Sequence, residues 1–188
     1  PYIKSSPIEI WKNRIPWLLL LMVSATLTGI VINNFESALG VLPCLTAFIP
    51  MLMDTGGNSG SQASVTIIRA ISLNEIDFSD LLRVIWKEIR VAVLCGICLS
   101  VACFGKIMLI DKLLLHNESI TTTVALVVCA SLALTVCVAK LVGCVLPMLA
   151  KKLGFDPAVM ASPLITTIVD FLSLLIYFSF ATSILHIG

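Results

Sequence analysis

Two carboxylates stand where the surrounding chain is almost wholly apolar. Asp54 lies in Ile49-Pro50-Met51-Leu52-Met53-Asp54-Thr55-Gly56-Gly57-Asn58-Ser59-Gly60-Ser61-Gln62, and Asp170 in Thr166-Thr167-Ile168-Val169-Asp170-Phe171-Leu172-Ser173. An acid at the centre of a membrane helix costs about 2.5–3.5 kcal/mol on insertion scales, so it is kept where it faces water, protein or cargo. Thr166, Asp170 and Ser173 recur at i, i+4 and i+7 and share one helix face. Asp170 falls 13 residues past Pro157, about 20 Å along a helix rising 1.5 Å per residue. That depth is near the membrane midplane. Carboxylates among hydroxyls and exposed carbonyls are hard oxygen ligands, suited to Mg²⁺ or Ca²⁺ rather than to metals that prefer thiolate. Mg²⁺ sheds water reluctantly, so one carboxylate with several waters suffices for a site. A two-fold dimer would set two Asp170 side chains beside one axis and double the negative field.

Each of these residues also has a plainer reading. Asp170 could be a neutral acid hydrogen-bonded to a neighbouring helix. Asp54 could cap a half-helix by accepting from the Gly56 or Gly57 N–H. Gly56, Gly57 and Gly60 could let the backbone turn or let helices approach closely. Asn58 and Gln62, one turn apart, offer amide oxygens to a pore or to unwound backbone. The proline, the acid and the three glycines together predict a broken helix lining a path for a cation, because lipid cannot satisfy freed backbone groups.

Composition says what must position these residues. Of 188 residues, 59% are hydrophobic and 12% charged, and mean hydropathy is +1.07. A soluble domain is about half apolar and a quarter charged, so the chain reads as an all-α integral membrane bundle. A span needs roughly 20 apolar residues, and the pattern predicts five: residues 15–32, 39–71, 91–110, 121–146 and 157–185. The second is overlong, and its surplus is assigned to the break. Residues 2–14 read as an interfacial lead-in, 72–90 as an amphipathic surface helix, 111–119 as a polar loop and 147–156 as a basic loop. With the N-terminus in the cytoplasm, ten of the twelve lysines and arginines lie inside and only Lys106 and Lys112 outside. The positive-inside rule therefore predicts N-terminus in and C-terminus out, in the plasma (inner) membrane. The chain opens on Pro1 rather than Met and is expected to continue upstream; the first apolar run lacks a signal-peptide cleavage site.

Other chemistries fit less well. All seven cysteines lie in or at the ends of apolar runs and read as packing residues; Cys95-Gly96-Ile97-Cys98 has no second pair at zinc-finger spacing. No basic arm suggests a nucleic-acid partner. Gly57-Asn58-Ser59-Gly60 matches the GxSG string of rhomboid-type intramembrane proteases, but nucleophilic catalysis needs a base in reach. His116 and His186 both lie far from the depth of Ser59, so the chain is read as no enzyme. An ion-coupled secondary carrier using Asp54 and Asp170 is the alternative to a channel.

Residues Pro50 through Gln62, Phe155-Asp156-Pro157-Ala158, Leu141-Val142-Gly143 and Asp170 through Tyr177 resemble the transmembrane domain of MgtE-type magnesium channels. The resemblance covers essentially the whole chain. It implies a homodimer in the lipid bilayer with spans two and five lining the pore. It implies hydrated Mg²⁺ held at Asp170 with the Thr166 carbonyl one turn earlier. It implies a regulatory Mg²⁺ near Asp156, shared with a cytosolic domain of paired CBS modules preceding Pro1. Gly56, Gly57, Asn58, Gln62, Ser162 and Ser173 would line the path. This chain departs from the family pattern at Asp54, Thr166 and Ser162, where members carry Gly, Ala and Asn, so the resemblance assigns Asp54 no role.

Overall fold

The computed structural model describes residues 6–187; the side chains of Asn13 and of residues 159–162 are outside the described set. Lys4, the first residues of the lead-in segment and the Ser162 side chain therefore lie outside the described residues. The described chain is helical throughout, with no strand. Helix α1 spans Pro7–Asn34, α2 Glu36–Val41, α3 Ile49–Ser72, α4 Leu81–Lys106, α5 Thr122–Lys152 and α6 Pro157–Leu185. Short 3₁₀ pieces occupy Pro43–Phe48 and Phe78–Asp80, and a π-helical stretch at Ile107–Leu114 extends α4.

Local chemistry sets these ends. Pro7, Pro50 and Pro157 sit in first turns, where the missing N–H is no loss. Ser6 accepts from the Glu9 N–H, Thr121 from Val124 and Asp156 from Ala158, each satisfying one orphan donor. Outside the membrane, the Ser79 hydroxyl and N–H donate to Asp77 and hold its carboxyl below the usual range.

Among the described residues, four helical stretches are long and apolar enough to cross a membrane: Pro7–Asn34, Phe78–Leu114, Thr122–Lys152 and Pro163–Leu185. The fifth expected span, α3, has 24 residues, long enough for about 30 Å of hydrocarbon, but it is too polar to qualify on composition. Helix α5 is the centre of the bundle and packs on α3, α4 and α6; α1 packs on α6. The contacts give directions. Gly56 faces Thr135 while Gly60 faces Ala139, so α3 and α5 run parallel. Gly56 also meets Ser173 while Gly60 meets Ile165, so α6 runs antiparallel to both. Ser100 donates to the Cys129 carbonyl at 2.8 Å while Gly96 meets Ala133, so α4 opposes α5.

The expected break in span two is not at the glycines. Helix α3 runs unbroken through Asp54, Gly56, Gly57 and Gly60. The chain instead turns at Leu42, with φ −130° and ψ 80°, and continues as the 3₁₀ piece. Glycine costs a helix about 0.5–1 kcal/mol relative to alanine, and close packing offsets that here. A Cβ on Gly56 would stand 2.8 Å from Thr135 Cγ2, and one on Gly60 would stand 2.8 Å from Ile165 Cγ2. The packing reading of these glycines is the one realised. The 3₁₀ piece is pinned from across the bundle, because the Tyr177 hydroxyl donates to the Leu45 carbonyl at 2.9 Å. Phe178 stacks on Phe35 with centroids 4.8 Å apart.

Three further boundaries moved. Residues 147–152, expected as loop, continue α5 through Pro147. The expected surface helix and the third span are one helix from Leu81 onward, after a turn and the 3₁₀ piece. Much of the expected polar loop at 111–119 begins as π-helix, with Lys106 paired to Asp111 at 2.8 Å. All seven cysteines are free thiols.

Candidate functional site

Because α3 is a continuous helix, its polar residues obey helical spacing. Asp54, Asn58 and Ser61 fall at i, i+4 and i+7 and share a face. That face looks along α6, which brings Thr166 and Asp170 opposite. Asp54, Gly57, Asn58, Ser61, Thr166 and Asp170 line one open cleft of about 460 Å³, together with Ile49, Pro50 and Met53. Asp54 is exposed in it and Asp170 half-buried. The Asn58 amide donates to Asp54 Oδ2 at 3.2 Å. The Thr166 and Thr167 hydroxyls donate back to the Pro163 carbonyl at 2.9 and 3.2 Å. Within the α6 ladder the Thr166 carbonyl faces the Asp170 N–H, and a carbonyl oxygen keeps a second lone pair.

Among the described residues neither deep carboxylate is in an ion pair. Among the described residues the ion pairs are Arg83–Asp80 and Lys106–Asp111. No group of three or more His, Cys, Asp or Glu side chains is gathered there either. The chain thus offers two carboxylates, an amide and hydroxyls to an open groove, which suits an ion that keeps its water shell.

The expected site residues separate into two sets. Asp54, Gly57, Asn58, Thr166 and Asp170 share the cleft. Gly56 and Ser173 do not: both are buried, Gly56 against Thr135 and Val169, and Ser173 donating to the Val169 carbonyl at 2.6 Å. They belong to the seam between α3, α5 and α6 rather than to the cleft wall. Gln62 is exposed one turn beyond Asn58, outside the cleft wall. Asp54 is no cap, since it lies a full turn inside α3. Asp156 caps α6 through the Ala158 N–H at 2.9 Å and borders a separate cleft with Lys151 and Gly154. Ser61 is a cleft residue that the sequence reading passed over; its spacing from Asp54 and Asn58 was the available signal.

The cleft does not stand alone. Ser61 also lines a second opening of about 340 Å³, and that opening shares Ile68 and Ala158 with a third of about 510 Å³. The three follow α3 from Ile49 to Ile71, about 33 Å at 1.5 Å per residue. That matches the roughly 30 Å hydrocarbon thickness of a bilayer.

Fold and groove together define a multi-pass helical membrane protein with an acid-lined track along one edge. Residues 49–180 match the MgtE family model, described as a divalent cation transporter, and the chain belongs to that family. The magnesium transporter MgtE of Thermus thermophilus is 38% identical over 185 residues, covering 98% of this chain and 39% of that protein. The magnesium transporter MgtE of Bacillus subtilis is 35% identical over 174 residues, covering 93% and 37%. That of Enterococcus faecalis is 31% identical over 180 residues. The chain thus spans about two fifths of the length of these relatives.

Proposed function

We propose that this chain is the pore-forming part of a plasma-membrane magnesium channel, passing Mg²⁺ passively along the α3–α6 track at a homodimer axis. The observation that carries the reading is the meeting of Asp54 and Asp170 in one open groove, with no basic side chain beside them. The named relatives transport magnesium. Alternating directions of α3, α4, α5 and α6 support counting α3 as a crossing, and the placement of Lys and Arg puts the N-terminus inside.

For Asp170, Thr166 and Asp156 the division of labour is the one that the family resemblance implies. Two Asp170 side chains, one per protomer, draw a hydrated dication to the axis. The Thr166 carbonyls accept hydrogen bonds from its waters. Asp54, held by Asn58, adds a second ring of negative charge on the facing helix. Gly57 leaves the wall bare, since a Cβ there would meet only Thr166 Cγ2 at 3.8 Å. Asp156, at the exposed start of α6, is placed to share a regulatory Mg²⁺ with a CBS-type cytosolic domain.

Planar-bilayer recording separates this from coupled transport. A channel gives discrete Mg²⁺ currents that reverse at the Mg²⁺ equilibrium potential whatever the proton or sodium gradient. Flux that shifts with a second ion gradient, and never resolves into unitary steps, would replace the channel with a carrier.

A further inference from the structure

The charges along the track are not evenly spread. The outer cleft carries Asp54 and Asp170 and no base. The middle cleft, between Ser61 and Ala158, carries one charged side chain, Arg69, among Ser64, Val65 and Ile68. The third cleft, at the end that positive-inside placement puts in the cytoplasm, carries Lys151 and Asp156 together, a base and an acid. Arg69 is exposed, and among the described residues it is in no ion pair. It stands 15 residues past Asp54 on the same unbroken helix, about 22 Å away along the axis.

We infer that Arg69 is a rectifying residue: a fixed positive charge on the inner part of the track that thins Mg²⁺ there and favours entry over exit. The inference rests on the proposed pore. An ion arriving from outside is gathered by carboxylates before it meets the guanidinium. An ion starting from inside meets the guanidinium first, so its concentration at the mouth falls. In a dimer two such groups act on one dication. At a separation of about 10 Å in water at physiological ionic strength, their screened repulsion lowers the local Mg²⁺ concentration about two- to threefold. The effect grows as salt is diluted, because the Debye length lengthens to about 30 Å at 0.01 M. An arginine that merely reached for lipid phosphate would anchor the helix and leave the direction of current untouched.

The test is a current–voltage curve in uncharged lipid with equal Mg²⁺ on both sides, for wild type, Arg69→Gln, Arg69→Lys and Asp170→Asn. Wild type should pass more inward than outward current. Arg69→Gln should raise outward current about two- to threefold, change inward current less, and lose the asymmetry; Arg69→Lys should keep it. The wild-type asymmetry should shrink in concentrated monovalent salt. A linear wild-type curve, or unchanged asymmetry in Arg69→Gln, overturns the inference. If Asp170→Asn still removes the current in either case, the pore reading stands and only the role of Arg69 falls. If wild type carries no current, both fall together.

Discussion

Gly143 of α5 lies against the backbone of Gly60 of α3 so closely that a methyl group on Gly143 would overlap the Gly60 carbonyl oxygen. Gly60 in turn faces Ile165 of α6 and the Ala139 carbonyl. Three helices therefore meet at two residues without side chains. Lipid gives helices no hydrophobic reason to associate, so such close approach is how they hold together. Gly143→Ala should destabilise the protein by about 1–3 kcal/mol, the usual cost of overpacking, and Gly60→Ala should follow it. Gly57→Ala, where a Cβ would meet Thr166 Cγ2 at an ordinary 3.8 Å, should leave thermal unfolding in detergent unchanged or raise it slightly. Equal melting temperatures for Gly143→Ala and Gly57→Ala would show that the seam is looser than described.

The bond from Tyr177 to the Leu45 carbonyl joins residues 132 positions apart in sequence. It fixes the 3₁₀ piece that feeds the chain into α3. Tyr177→Phe keeps the ring's packing and removes one buried hydrogen bond, at a cost of about 0.5–1.5 kcal/mol. Thermal unfolding should fall accordingly, and proteolysis at residues 42–48 should quicken while cleavage at 73–77 does not. An unchanged cleavage pattern would mean that Pro43–Phe48 holds itself.

Asp54 adds charge to the groove but contacts Asn58 rather than standing bare. A dication about 5 Å from one carboxylate in water gains roughly 1.7 kcal/mol, a little over tenfold in occupancy. In the proposed dimer Asp54→Asn removes two such carboxylates and should thus raise the Mg²⁺ concentration giving half-maximal flux by about a hundredfold, with little change in maximal flux. Sensitivity equal to wild type would place Asp54 outside the ion's path.

The membrane class, the helical content and the two deep acids were legible in the chain, because hydropathy and isolated carboxylates are local signals. The state of Gly56, Gly57 and Gly60 was not. Three glycines and a proline look alike whether they end a helix or let one pack tightly, and only the neighbours Thr135, Ile165 and Gly143 decide. That one misreading hid the i, i+4, i+7 row of Asp54, Asn58 and Ser61, since a broken helix carries no period across its break. Ser173 follows the same logic: its flank of α6 packs against Gly56 of α3, which no local spacing reveals. Pro147 failed because a proline inside a helix costs one hydrogen bond, not the helix, when neighbouring helices hold the backbone in place.

Mg²⁺ uptake into liposomes carrying wild type or Asp170→Asn is the most direct measurement. The substitution removes one charge per protomer at nearly constant shape and should leave thermal unfolding within about 0.5 kcal/mol, as for sites free of packing change. In the proposed dimer, two carboxylates lost from one axis should cut Mg²⁺ occupancy about a hundredfold, and uptake at low Mg²⁺ should fall by a similar factor. Uptake by a well-folded Asp170→Asn protein at the wild-type rate would contradict the account.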